Sequence, residues 1–113
     1  IHPKVAPQAG EEVILKHRPN SFLNTSLHET LASRGISSLV IVGAQSQMCI
    51  DATTRAATDL GYTVTVVHDA CAARDAEFDG VAVPAAQVHA AFMSGLSGTY
   101  AKVVDCAGYL ASR

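Results

Sequence analysis

A cysteine placed where a strand turns into a helix is a candidate nucleophile. Cys49 occupies such a place, shortly after the apolar run Ser38-Leu39-Val40-Ile41-Val42-Gly43. The attacking species is the thiolate, and the unpaired N–H groups and positive dipole end of a helix starting near Met48 stabilise one. The same backbone donors, from around Gln45 and from Cys49 itself, suit the oxyanion that attack on a carbonyl creates. A cation fits the same scheme. Lys16 directly follows the apolar Val13-Ile14-Leu15, which puts its ammonium at the carboxyl edge of a sheet, where it stabilises a thiolate or developing negative charge. His17 or Arg18 takes that role if the strand register shifts by one residue. Cys71 and Cys106 lack comparable placement and read as structural.

Cys49-Ile-Asp-Ala-Thr-Thr-Arg55 also matches the C-x5-R spacing of cysteine phosphatases, whose loop wraps a phosphate with backbone N–H groups and an arginine. That wrap requires permissive backbone, whereas residues 50–54 contain no glycine and read as helix. The histidines at 2, 17, 28, 68 and 89 show no H-x-H or H-E-x-x-H spacing, and the three cysteines form no C-x-x-C pair. No metal site and no cofactor is expected, and reduced thiols are the default.

The elements that must position these residues alternate in type. Val13-Ile14-Leu15 reads as a short strand closed by the Pro19-Asn20 turn signal, and a helix follows from Thr25 or Ser26. Ser26 and Glu29 have capping-box spacing, Leu27 and Leu31 share a face, and Gly35 ends the helix. Leu39 to Gly43, apolar without alternation, predicts a central strand covered on both faces. Ile50, Thr53, Ala57 and Leu60 recur at helical spacing over 48–60. Thr63 to Val67 predicts a second buried strand, residues 75–80 a loop, and Pro84 the first turn of a helix with Val88, Phe92 and Leu96 on one stripe. Lys102 to Asp105 reads as a last short strand. This rhythm predicts an α/β fold, a doubly wound parallel β-sheet with helices on both faces, whose ligand crevice lies at the carboxyl ends of the strands.

A chain of 113 residues with 49% hydrophobic and 16% charged content describes one domain, residues 1–113, and excludes disorder and coiled coil. Eight Lys and Arg against ten Asp and Glu, a net charge of −2, offer no footprint for a phosphate backbone, so no nucleic acid partner is expected. The longest apolar run falls far short of the roughly 20 residues a membrane span needs, and the start of the chain lacks a signal-peptide layout. The expected location is cytoplasmic, with no membrane partner. Exposed apolar edges predict a homo-oligomer.

Taken together, Lys16, Ser21-Phe22, Thr25, Leu27, the stretch Leu39 to Ile50 that holds Gly-Ala-Gln-Ser-Gln-Met-Cys, Ala52-Thr53, Gly61-Tyr62 and Val66-Val67-His68-Asp69-Ala70 resemble the isochorismatase-like cysteine hydrolases from about His2 onward. The resemblance implies an Asp–Lys–Cys triad of which Lys16 and Cys49 are present. It also implies a cis peptide at Ala44-Gln45, with the N–H groups of Gln45 and Cys49 as the oxyanion hole. The family's Asp lies on an earlier strand, and no Asp precedes Lys16, so the chain corresponds to the C-terminal portion of such a domain, incomplete at its N-terminus. The implied chemistry is hydrolysis of a small-molecule amide or related C–N bond through a Cys49 thioester, since vinyl-ether cleavage needs no acyl-enzyme. Ser46 is a candidate substrate contact, and Phe22 either lines the substrate pocket or packs in the core. The rival reading is a catalytically inactive oligomerisation or binding module.

Overall fold

The computed structural model describes residues 1–113. Its β-branched runs pair into a parallel sheet of β1 (Ser38–Ala44), β2 (Thr63–Ala72) and β5 (Lys102–Val104) in the order β1-β2-β5. Among the three strands of these residues β2 is the middle one, and the Leu39 to Gly43 run lies beside it at an edge. On β2, the adjacent residues Val66 and Val67 point to opposite faces and are both buried, which requires cover on both sides. On β1, Leu39 and Ile41 pack against the core, while Val40 and Val42 remain 46% and 54% exposed. An apolar run of this length records buried character but not which face finds a partner.

The elements around the sheet are α1 (Leu27–Ser33), α2 (Asp51–Asp59), α3 (Ala85–Leu96) and α4 (Cys106–Ala111). Helices α2 and α3 pack on each other, α2 and α4 pack against β2, and α3 also reaches β5. The result is the expected α/β fold, a parallel sheet flanked by helices. The main core joins Ile50 and Ala57 with Val64 and Val66 of β2 and Met93 and Leu96 of α3. On α3, Met93 is buried instead of the expected Phe92, and on the α2 side Leu60 is largely exposed. Leu96 has no exposed surface, so Leu96→Ala should cost about 2–5 kcal/mol, read as a lowered midpoint in urea unfolding at unchanged slope.

Several local expectations change. Val13-Ile14-Leu15 is not a strand, because none of the three has a ladder partner, and Val13 and Leu15 stand exposed. The segment is instead tied to the end of α1 by the Glu12–Arg34 ion pair, 2.7 Å. The capping box does not form, since Ser26 makes no side-chain cap bond and the Thr25 hydroxyl accepts from the Leu27 N–H instead. Residues 75–80 are not a plain loop: β3 (Ala76–Phe78) and β4 (Val81–Val83) form an antiparallel hairpin turned by Asp79 and Gly80. Both turn residues have positive φ, 51° and 77°, which is what an Asp-Gly hairpin turn requires. Past β5, Asp105 accepts from the Gly108 N–H and starts α4, which periodicity over so few residues does not reveal. No helix is long and apolar enough to cross a membrane.

Candidate active site

The strand-to-helix connection after β1 is more specialised than a simple first helical turn. The Ala44-Gln45 peptide is cis, as the resemblance implies. Residues Ser46–Ile50 then form one wide π-helical turn that runs into α2 at Asp51. Cys49 lies in that wide turn and is half-buried. The Gln45 N–H has no acceptor in the chain, and the Cys49 N–H has none outside its own turn. Both N–H groups belong to the connection that runs from the end of β1 into α2.

Lys16 comes to this turn from far away in sequence. Its Nζ lies 3.4 Å from Cys49 Sγ, 2.8 Å from the Arg18 carbonyl oxygen and 3.3 Å from that of Pro19. An ammonium has three donors, and these three acceptors use them all, so the cation is held in place. The acceptors are themselves anchored to the cysteine's helix. Thr53, one turn beyond Cys49, accepts from the Ser21 N–H at 3.0 Å and donates toward the Pro19 carbonyl at 3.2 Å. The unpaired segment 11–16 thus needs no ladder to deliver Lys16. His17 and Arg18, the alternatives under a shifted register, are exposed.

The other candidates are placed differently. Ser46 is fully buried, and its Oγ is 2.7 Å from His89 Nδ1 on α3. Phe22 is half-buried and packs against the core. It stacks on Tyr62 at 5.8 Å beside His28, whose Nδ1 is 2.8 Å from the Tyr62 hydroxyl, and it lines a cavity with Ala56 and Leu60, about two and three helical turns beyond Cys49. Neither placement was readable from spacing, because the partners of Ser46 and Phe22 lie 43 and 40 residues away. Gln47 shares the turn, and its side-chain amide donates to Gln45 Oε1 at 3.3 Å. The phosphatase geometry is absent. Residues 51–55 are helical, and Arg55 donates to Asp51 at 2.9 Å with its guanidinium 4.7 Å from the Tyr100 ring centre, so it wraps nothing around Cys49.

The three thiols also differ in environment. Burial pushes the Cys71 thiol up, a backbone hydrogen bond at Gly43 opposes this, and the Asp69 charge adds to it. Cys71 consequently stays a protonated, inert thiol near neutral pH. Cys106 is free and exposed.

The chain is similar to known proteins. The chain is 47% identical over 110 residues to the isochorismatase family protein YddQ of Bacillus subtilis (strain 168), covering 97% of this chain and 61% of that protein. It is 35% identical over 86 residues to the ureidoacrylate amidohydrolase RutB of Variovorax paradoxus (strain S110), covering 76% of this chain and 32% of RutB. The crystal structure of a protein from Oleispira antarctica assigned to the isochorismatase hydrolases superposes with a TM-score of 0.95 at 59% identity, covering 98% of this chain and 59% of that one. The chain thus spans about three fifths of the length of YddQ and of the Oleispira protein. The Isochorismatase domain model matches residues 1–105, a span that includes Lys16, the cis peptide and Cys49 together. The chain belongs to the isochorismatase family.

Proposed function

We propose that the protein carrying this chain is a cysteine hydrolase that cleaves a small amide or related C–N bond through a Cys49 thioester. The observation that carries this reading is the Lys16 ammonium 3.4 Å from Cys49 Sγ, on a turn that begins after a Gln45 N–H with no acceptor. A cation at a sulfur favours the thiolate, and a vacant backbone donor suits an oxyanion. In the proposed sequence, Cys49 Sγ bonds to the carbonyl carbon, and the carbonyl electron pair moves to oxygen between the Gln45 and Cys49 N–H groups. Collapse of that intermediate breaks the C–N bond, and the departing nitrogen takes up a proton. Water then adds to the thioester and releases the acid and the thiol. Proton movement is assigned to an Asp outside these 113 residues, since Lys16 is fully committed as a donor.

Similarity to an amidohydrolase such as RutB supports the C–N reading over vinyl-ether cleavage. Residues 1–113 are proposed as the C-terminal part of a single such domain, acting on a small-molecule substrate within a homo-oligomer. The exposed valines of β1 and the open side of that strand are surfaces that further strands of the same domain would cover. The test is to quench turnover of small primary amides and ureido acids with acid and map acyl adducts by mass spectrometry. An adduct on the Cys49 peptide, removed by hydroxylamine, is the expected result. Turnover with no adduct on Cys49 under any quench time would sink the thioester.

A further inference from the structure

We infer that His89 is a positioning residue for the oxyanion-binding turn, acting through the buried hydroxyl of Ser46. The inference rests on the reading of Cys49 and the Gln45 N–H given above. Ser46 directly follows Gln45 and opens the wide turn that holds Cys49. A π-helical turn is less regular than an α-helical one, so its conformation depends on what is attached to it. Ser46 has no exposed surface, and His89 Nδ1, at 2.7 Å, is the one side-chain partner of its Oγ. Losing that partner leaves a buried hydroxyl unsatisfied, so the turn has reason to shift until the hydroxyl finds another. His89 itself is well held. It lies on α3, whose Val88, Met93 and Leu96 are buried, and its ring lies 6.5 Å from that of His68, on the stretch of β2 that bulges past β1. This hydrogen bond adds a directed link to the packing of the turn against α3, where Ile50 meets Met93 and Leu96.

The orientation of the Gln45 N–H should depend on this bond, whereas the sulfur, held near Lys16 from the opposite side, should not. Two reagents separate these effects in the full chain. Iodoacetamide forms an S–C bond and expels iodide with no oxyanion to hold. Propionaldehyde forms a hemithioacetal, in which sulfur bonds to the carbonyl carbon and the thiol proton ends on the former carbonyl oxygen, at the oxyanion position. His89→Ala and Ser46→Ala are each expected to weaken propionaldehyde protection of Cys49 about tenfold or more while changing the alkylation rate by less than about twofold. His89→Asn, whose side-chain amide reaches the place of Nδ1, should restore protection to within about threefold of the wild type, and the double alanine variant should be no worse than either single one. Thermal unfolding of each variant checks folding, and the Ser46→Ala and His89→Asn variants keep the test decisive if His89→Ala does not fold. Parallel loss of alkylation and protection, unchanged protection, or no rescue by asparagine would overturn the positioning role. Failure of wild-type Cys49 to react preferentially with iodoacetamide would instead overturn the underlying reading, and this inference with it.

Discussion

Cys49→Ala is expected to abolish turnover, by a factor on the order of 10⁴ to 10⁶, while moving stability by no more than about 1–2 kcal/mol. The two halves of this expectation have separate causes. Cys49 is half-buried in the turn and lies outside the cluster of buried residues that forms the core, so removing its sulfur opens little cavity. The sulfur is nevertheless the atom that would bond to substrate, and neither Cys71 nor Cys106 can replace it. Cys71 is kept protonated by burial, and its Sγ donates to the Val67 carbonyl at 3.3 Å. Cys106 is at the start of α4, where Asp69 accepts from its N–H. Steady-state kinetics beside thermal unfolding checks the pair of outcomes. Turnover retained in this variant would refute the mechanism.

Lys16→Met should carry the second-largest effect, a loss of about 10²-fold or more in kcat with a parallel slowing of iodoacetamide alkylation of Cys49 near pH 7. Methionine keeps the apolar stem and removes the charge, so the change isolates the ammonium. That charge is 3.4 Å from Sγ in a half-buried setting, where solvent screens it less than at the surface. The carbonyls of Arg18 and Pro19 also lose a donor, at a cost to stability of about 1–2 kcal/mol. Peptide-resolved labelling separates Cys49 from the exposed Cys106, whose rate should not change. An unchanged Cys49 rate would show that the lysine is only a tether for the 18–21 turn.

The pairing of Lys16 with Cys49 shows how far residue order reaches. Each could be placed separately at a sheet edge, because an apolar run followed by a lysine, and another followed by Gly43 and a cysteine, are local signals. Their meeting depends on Thr53 holding the Pro19–Ser21 turn against α2, a contact across more than thirty residues that no periodicity announces. The Val13 segment makes the complementary point. Its composition suits a strand, yet a strand is defined by its neighbours, and none of the strands in these 113 residues lies beside it.

By itself, the sequence determined the alternation of apolar runs and helical patterns, the place of Cys49 after a Gly-led turn, and the family resemblance carried by Gly43 to Cys49. These are local properties, set by residue type and by spacing within one element. Only the tertiary structure decided that β2 is the middle one of the three parallel strands, that Phe22 packs on Tyr62 against the core, and that the buried Ser46 hydroxyl meets His89. Those outcomes rest on which surfaces are covered and which buried polar groups find partners, and both are settled between elements distant in sequence.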